Sequence, residues 1–331
     1  MDPLKQHPIS LPEIYRARAV VRDFLKPTPL VRYEGLSRLI GADIYVKHEN
    51  HNLTGSFKIR GGLNLVSHLK RLGQPGAITF STGNHGLSIA TAARLFDMHA
   101  VIVVPEHNNP AKNRAIRETG AELVESGRTF EESANTVERL QHERGFYYAH
   151  PADEPLLING VGTEFLEIAE DLPDIDAMIV PLGAGSEAAA AITVLHTLRA
   201  DIKVIAVQAE RSPAAYHSWQ NKEICSDRNE TFAGGFATGR AYEIPFQIYR
   251  DGLDRFVLLT EDEIYDAIAM AMFYTHNLAE GAGASTIMAA VKLRDYLAGK
   301  KVVLQMSGCN ASPGEVAAAI AREAFSSGWQ G

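Results

Sequence analysis

The sequence predicts an α/β protein of two lobes, each a mainly parallel sheet flanked by helices. Short apolar runs alternate with helical patterns between about 75 and 150, and a second alternating set follows from about 155 onward. Strand, helix, strand repetition of this kind builds parallel sheets covered on both faces. Bulk composition agrees: 331 residues with 46% hydrophobic and 22% charged suffice for a large core and two domains, or one large and one lesser lobe.

In chain order, Ser10-Leu11-Pro12-Glu13 reads as a capping box, and Ile14, Ala17, Val20, Val21 and Phe24 repeat at helical spacing until Pro27 and Pro29. Thr54-Gly55-Ser56 then opens a helix that carries Lys58 in its first turn and runs to about Leu72, with Thr54 or Ser56 able to accept from the free N–H groups. Gly73, Pro75 and Gly76 mark a lobe boundary. Strands are expected at Ala77–Phe80, Ala100–Val104, Glu122–Val124 and Phe146–Ala149, with helices near 85–97, 110–119 and 129–143. The second set has strands at Ala177–Pro181, Lys203–Gln208, Arg255–Leu259 and Lys301–Met306, and helices near 155–171, 186–199, 261–276 and 283–297. Between about 212 and 250 periodicity is weak, which reads as irregular backbone over or beside a site.

A net charge of -8 without any long Lys/Arg run argues against nucleic acid or an anionic membrane as partner and favours a small molecule. Cys225 and Cys309 lie far apart without metal-ligand spacing, so neither a disulfide framework nor a zinc site is indicated. The N-terminus carries Asp2, Lys5 and two prolines in place of an apolar leader, and no apolar run reaches about 18 residues. A soluble, cytoplasmic protein is expected.

Chemistry is sought in the loops after the strands, because ligands of open parallel sheets bind outside the strands' carboxyl ends. At a helix start, the positive end of the dipole and packing against Phe57 and Ile59 favour the neutral amine of Lys58, a nucleophile able to form a Schiff base. An ordinary surface lysine is the alternative. Ser81-Thr82-Gly83-Asn84-His85-Gly86 leads into a helix and makes a cup for a carboxylate, or else an ordinary cap at Ser81 or Asn84. Leu182-Gly183-Ala184-Gly185-Ser186-Glu187 makes a phosphate cradle. It has a rival reading, since Gly183-x-Gly185-x-x-Ala188 with Glu210 beyond fits the dinucleotide fingerprint of a nicotinamide enzyme. Ser307-Gly308-Cys309-Asn310 is either a tight turn or a hydroxyl aimed at a ring nitrogen.

Together these stretches, with Thr28-Pro29-Leu30, Glu280-Gly281-Ala282-Gly283-Ala284 and Pro105…Pro110…Lys112…Gly120-Ala121, resemble the fold-type II pyridoxal-phosphate enzymes, tryptophan synthase β-like in fold. The nearest likeness is to the serine/threonine dehydratase (ammonia-lyase) and serine racemase branch, and it covers nearly the whole chain. Val207 to Trp219 is similar to the dehydratases of hydroxyectoine use and phenylserine breakdown. The resemblance implies pyridoxal 5'-phosphate as cofactor, Lys58 as its Schiff-base residue and later the base, Phe57 near the ring and Asn84 at the 3-hydroxyl. It gives Ser81, Thr82, Asn84 and His85 to the substrate carboxylate, and Gly183, Ala184, Gly185 and Ser186 to the phosphate. Ser307 faces the pyridine nitrogen, and Glu280 belongs to the cofactor set.

A serine at that nitrogen, unlike an acid, weakens the electron sink and favours rapid loss of a β-leaving group. Lys58-Ile59-Arg60 and Gly83-Asn84-His85 side with the dehydratases over the β-replacing relatives, which read Lys-Asp-Arg and Gly-Asn-Thr. The expected reaction is loss of water from threonine, serine or a bulkier 3-hydroxy amino acid, giving a 2-oxo acid and ammonia. Racemisation is the alternative, with Thr82 where the racemases carry a serine acid/base. Three departures stand out: Gly-Ala-Gly-Ser replaces an all-glycine phosphate loop, Cys309 stands where glycine is common, and 231–240 lacks an acid often found there. A cation site of the racemase-like members would fall on Glu210, Ala214 and Tyr216, and the phenol removes a hard oxygen ligand, so no metal is expected unless Asp227 substitutes. The expected organisation is a large cofactor-binding domain of 1–74 and 151–331, a small domain of 75–150, and a homodimer.

Overall fold

The computed structural model describes residues 7–127 and 130–329, so Asp2, Lys5 and the start of the helix expected from 129 lie outside the described residues. Up to the first long crossover the elements are α1 (Leu11–Arg22), β1 (Leu30–Arg32), α2 (Glu34–Ile40), β2 (Asp43–His48) and α3 (Lys58–Arg71). Then come β3 (Gly76–Phe80), α4 (Asn84–Leu95), β4 (His99–Val104), α5 (Pro110–Glu118), β5 (Glu122–Glu125), α6 (Phe130–Arg144), β6 (Tyr147–Tyr148) and α7 (Pro155–Asp171). The remainder is β7 (Ala177–Pro181), α8 (Ser186–Leu198), β8 (Lys203–Ala209), α9 (Ala214–Asn221), α10 (Glu243–Gly252), β9 (Arg255–Leu259), α11 (Glu261–Thr275), α12 (Gly281–Lys292), α13 (Arg294–Leu297), β10 (Lys301–Met306), α14 (Pro313–Ile320) and α15 (Glu323–Ser327).

Among the described residues the strands form two sheets, ordered β1-β2-β10-β7-β8-β9 and β5-β4-β3-β6. Every pairing is parallel except β1 with β2, which closes one edge antiparallel. The chain divides into two compact units, Met1–Leu25 with Lys58–Thr163, and Lys26–Phe57 with Glu164–Gly331. The unit that includes Lys58–Thr163 holds β3 to β6 together with α1, α3 and the first half of α7.

Close backbone packing is the reason. Asn64 Nδ2 on α3 donates to Leu156 O at 2.8 Å, and Arg60, fully buried, donates to Thr163 Oγ1 at 3.1 Å. A Cβ on Gly160 would lie 2.5 Å from Arg60 O and 2.7 Å from Gly61 Cα, so the two helices meet backbone to backbone where only glycine fits. In the larger unit, Ile44, Val46, Ile179, Ile205, Val207, Val302 and Leu304 form the apolar layer on which α11 and α12 pack. Because β2 and β10 run in phase, with Met306 opposite His48, their carboxyl-terminal loops emerge side by side.

Three expectations are corrected. Ser10 is the N-cap of α1, but its side chain makes no capping bond, its N–H donates to Asn159 Oδ1, and the Glu13 carboxylate is drawn to His7 and Arg16. Neither Thr54 nor Ser56 caps α3: both hydroxyls are buried without a hydrogen-bond partner. Segment 212–250 contains α9 and α10. β1, α2 and β2 lack a sequence signal because β2 ends in polar residues, Lys47 and His48, that are buried here.

Gly160→Ala should destabilise the smaller unit by about 1 to 3 kcal/mol, the usual cost of overpacking, because the clash is with main chain that cannot rotate away. Urea unfolding of the apoprotein followed by Tyr and Trp fluorescence would show it. An unchanged midpoint would mean that α3 and α7 separate easily.

Candidate active site

Within the smaller unit, Lys58 is the first residue of α3, and its main-chain carbonyl accepts a 2.6 Å hydrogen bond from Ser88 Oγ on α4. α4 starts at Asn84, just past the end of β3. Its N-cap is Gly83, which brings no side chain to the first-turn N–H groups. Ser81 Oγ accepts from the Gly83 N–H at 3.3 Å, Ser81 and Asn84 are half-buried, and Thr82 is exposed. A helix of 12 residues opening without a side-chain cap offers N–H groups and a positive dipole end to an anion such as a carboxylate.

His85 is turned away from that role. Its ring is buried, with Nε2 3.0 Å from Thr79 Oγ1 and 3.1 Å from the Ala149 carbonyl. Burial first, and the Lys58 charge second, push the imidazole down to about 3. The ring is therefore neutral and donates Nε2–H to the carbonyl, so it anchors the helix start to the ends of β3 and β6. Only its backbone N–H remains for an anion.

Within the larger unit, Phe57 is fixed to the end of β10 by its N–H, which donates to Ser307 O at 3.0 Å. Ser56 bridges Gly308, Cys309 N–H donates to Gly55 O at 2.9 Å, and Glu280 N–H donates to Gly308 O at 3.0 Å. Phe57, Ser307 and Glu280 are all buried. The Cys309 thiol is pushed up by burial and by the Glu280 charge, so it stays a protonated thiol, its Sγ donating to Asn50 O.

The glycine-rich loop precedes α8, with Gly185 as N-cap at φ +94°. Gly183 has no room for a Cβ, which would run into the Gly235 carbonyl, and Thr238 Oγ1 donates to Gly183 O at 3.4 Å. Ala184 and Ser186, the two departures from all-glycine, are not among the described residues with positive φ. The left-handed position has kept its glycine, so the N–H donors survive the substitutions.

Tyr216 packs its ring against Phe256 at 5.5 Å and Trp219 at 6.3 Å, and its hydroxyl accepts from Gln220. Asp227 is bound to His217 at 2.7 Å. Glu210 is exposed, its carbonyl taken by Arg228. No group of three His, Cys, Asp or Glu gathers among the described residues.

These donors fit a pyridine aldehyde carrying a phosphate. A helix N-terminus behind a loop of small residues suits the dianion, a serine hydroxyl at a strand end suits an aromatic nitrogen, and a primary amine suits the aldehyde. The fold and donors define a fold-type II pyridoxal-phosphate enzyme. Residues 21–308 match the pyridoxal-phosphate dependent enzyme family, and the chain belongs to it. An L-threonine ammonia-lyase of Thermotoga maritima is 34% identical over 306 residues, covering 91% of this chain and 76% of that protein. A catabolic L-threonine dehydratase of Staphylococcus aureus is 34% identical over 310 residues, with 92% and 90% covered. Maize serine racemase superposes with a TM-score of 0.89 at 25% identity, covering 94% of this chain and 96% of that one. The protein is thus an enzyme of the carbon-oxygen lyase class with pyridoxal phosphate as cofactor, and the nicotinamide reading of Gly183-x-Gly185 falls.

Sequence reasoning missed the supports of these loops. Ser88, Gly62, Gly235 and Thr238 act through contacts made far along the chain. The Gly234-Gly235 pair was the one visible signal.

Because the folded protein refuses a proton at His85 that the unfolded chain accepts, stability contributed by the neutral ring is complete above 6.5 and is lost as pH falls toward about 3. The slope approaches about 1.4 kcal/mol per pH unit in that window. Apoprotein His85→Gln, whose amide can still reach the carbonyl, should lose less stability than the parent on acidification from about pH 7 to about pH 5. Parallel urea-midpoint series would refute the assignment.

Proposed function

We propose that the enzyme is an ammonia-lyase for 3-hydroxy amino acids, taking threonine or serine, or a bulkier relative such as phenylserine, to a 2-oxo acid and ammonia. The observation that carries this reading is Ser307: a buried residue at the end of β10, tied to the residue before Lys58. An alcohol donates a hydrogen bond without giving up its proton, so a ring nitrogen facing it stays neutral. Similarity to threonine ammonia-lyases over nine-tenths of the chain supports the same class.

Bound pyridoxal phosphate supplies an electron sink for the bonds to the substrate Cα. Gly183 to Ser186 would hold the phosphate through main-chain N–H groups of the loop and of the start of α8, and Phe57 would pack near the ring. Glu280 belongs to the cofactor set, and Asn84 takes the 3-hydroxyl. Ser81, Thr82, Asn84 and the N-terminus of α4 hold the substrate carboxylate. The Lys58 amine anchors the cofactor and then takes the proton from Cα. Overall the Cα–H and Cβ–OH bonds break and water leaves; the released enamine tautomerises, and a second water hydrolyses the imine and frees ammonia. A cytoplasmic homodimer belongs to the same reading.

A second reading, racemisation, is favoured by the exposed Thr82 hydroxyl and the likeness to serine racemase. A threonine is restricted at χ1 and bulkier than serine, so elimination should dominate.

The purified enzyme should show a visible band that borohydride abolishes, and Lys58→Ala should lack the band and lose at least about a hundredfold in ammonia release. A protein that stays colourless with added pyridoxal phosphate would sink this reading. Chiral analysis of serine, threonine and phenylserine reactions should find ammonia release faster than inversion; the reverse ranking makes the enzyme a racemase.

Activity should be indifferent to EDTA and to added Mg²⁺, because Tyr216 brings a ring to the aromatic cluster where a cation would need a second carboxylate. A large loss on EDTA dialysis, restored by Mg²⁺ or Ca²⁺, would show that Glu210 has found other ligands.

A further inference from the structure

Ser88 carries a buried hydroxyl that donates to the main-chain carbonyl of Lys58. That carbonyl belongs to the first residue of α3 and already serves the N–H of Gly62, one helical turn on. A hydroxyl can approach an occupied helix carbonyl only where the helix surface is bare. Gly62 provides the gap: a Cβ there would overlap Ser88 Oγ and come within 3.0 Å of Ser88 O.

We infer that Gly62 and Ser88 form a clamp that fixes the main chain of Lys58 to α4, making Ser88 a positioning residue for the lysine. The inference rests on Lys58 being the cofactor lysine, as proposed above. Its consequence follows from geometry. Ser88 lies one turn from Asn84, at the helix start proposed for the substrate carboxylate, so one hydrogen bond of 2.6 Å links the root of the lysine side chain to that seat. The amine travels on four methylenes and is placed only as well as its Cα is. Both partners are in the same compact unit, so the clamp holds whatever the other unit does.

Two substitutions break the clamp from opposite sides. Ser88→Ala removes the hydroxyl, and Gly62→Ala turns it away by adding one methyl. If both act by freeing the same carbonyl, each should lower kcat about tenfold, less than the hundredfold of an ångström's misplacement, with KM for the amino acid within about twofold. The Gly62→Ala/Ser88→Ala double variant should then be no worse than the worse single one, since nothing is left to break.

Three measurements on the holoenzyme and one on the apoprotein decide it. The visible circular dichroism of the cofactor band, which reports ring orientation, should weaken in all three variants, and borohydride should reduce the band at a changed rate. Thermal midpoints of the apoproteins give the purely structural cost. Lowered kcat with an altered band and a non-multiplicative double variant supports the clamp, and Ser88→Ala alone decides it if Gly62→Ala does not fold. An unchanged band and kcat in Ser88→Ala, or losses that multiply in the double variant, overturns it. A parent protein without a borohydride-sensitive band would instead mean that the reading of Lys58 is wrong.

Discussion

Much of the larger unit's candidate site hangs on the backbone around Gly308. β2 and β10 end in register, and the loop leaving β2 returns to the loop leaving β10 through Ser56 to Gly308, Phe57 to Ser307 and Cys309 to Gly55. The loop before α12 joins through the Glu280 N–H, and Gly283 on α12 comes so close that a Cβ would run into the Gly308 carbonyl. Gly308 itself has no room, with Ser56 Cβ 3.2 Å and Glu280 Oε1 2.6 Å from where its own Cβ would stand. Three loops from separated parts of the chain thus share one main-chain junction. The peptide bond leaving it, between Phe57 and Lys58, is also where the compact units divide.

Beneath that junction lies a buried set of charges. Lys47, with no exposed surface, donates to Thr28 O at 2.8 Å and to Glu167 at 2.7 Å. Glu49, equally buried, accepts from Thr28 Oγ1 at 2.5 Å and from Asn52 Nδ2 at 2.6 Å. Removing two ions from water costs several kcal/mol each, and such pairs rarely add net stability. Their value here is directional: Lys47 ties β2 to the turn at Thr28 and to Glu167 on α7, and Glu49 ties the 49–57 loop to the same turn. The surface pairs, such as Arg139 with Glu143, carry no comparable consequence.

The strands at 177–181, 255–259 and 301–306 were legible because apolar runs bounded by turn residues leave few alternatives. β2 was not, since its polar end is buried only by virtue of partners distant in sequence. Capping boxes show the same limit. Thr260 with Glu263 and Ser312 with Glu315 form the reciprocal pair, whereas Ser10 with Glu13 has the same spacing and does not: the Ser10 N–H donates to Asn159 Oδ1, and the carboxylate is drawn to His7 and Arg16. At the candidate site, residue types in the strand-end loops could be read and side-chain directions could not. His85 stands in the first turn of α4, yet its ring faces Thr79 and Ala149, acceptors that no local pattern announces.

Gly183-x-Gly185 shows why one pattern supported two chemistries. Both readings ask for the same object, a helix N-terminus behind a loop of small residues, and α8 supplies it through glycines at the crowded and left-handed positions. A dinucleotide site needs an acid poised at the end of the next strand. Glu210 stands there, but exposed, while its own main-chain carbonyl accepts from Arg228 and the Gln208 side chain accepts from the Tyr216 N–H. An exposed carboxylate is the commonest thing a strand end can carry. What separates the two lies outside that loop: residues 21–308 match the pyridoxal-phosphate dependent enzyme family, whose Schiff-base chemistry calls for a lysine, and Lys58 at the start of α3 is the residue proposed for it.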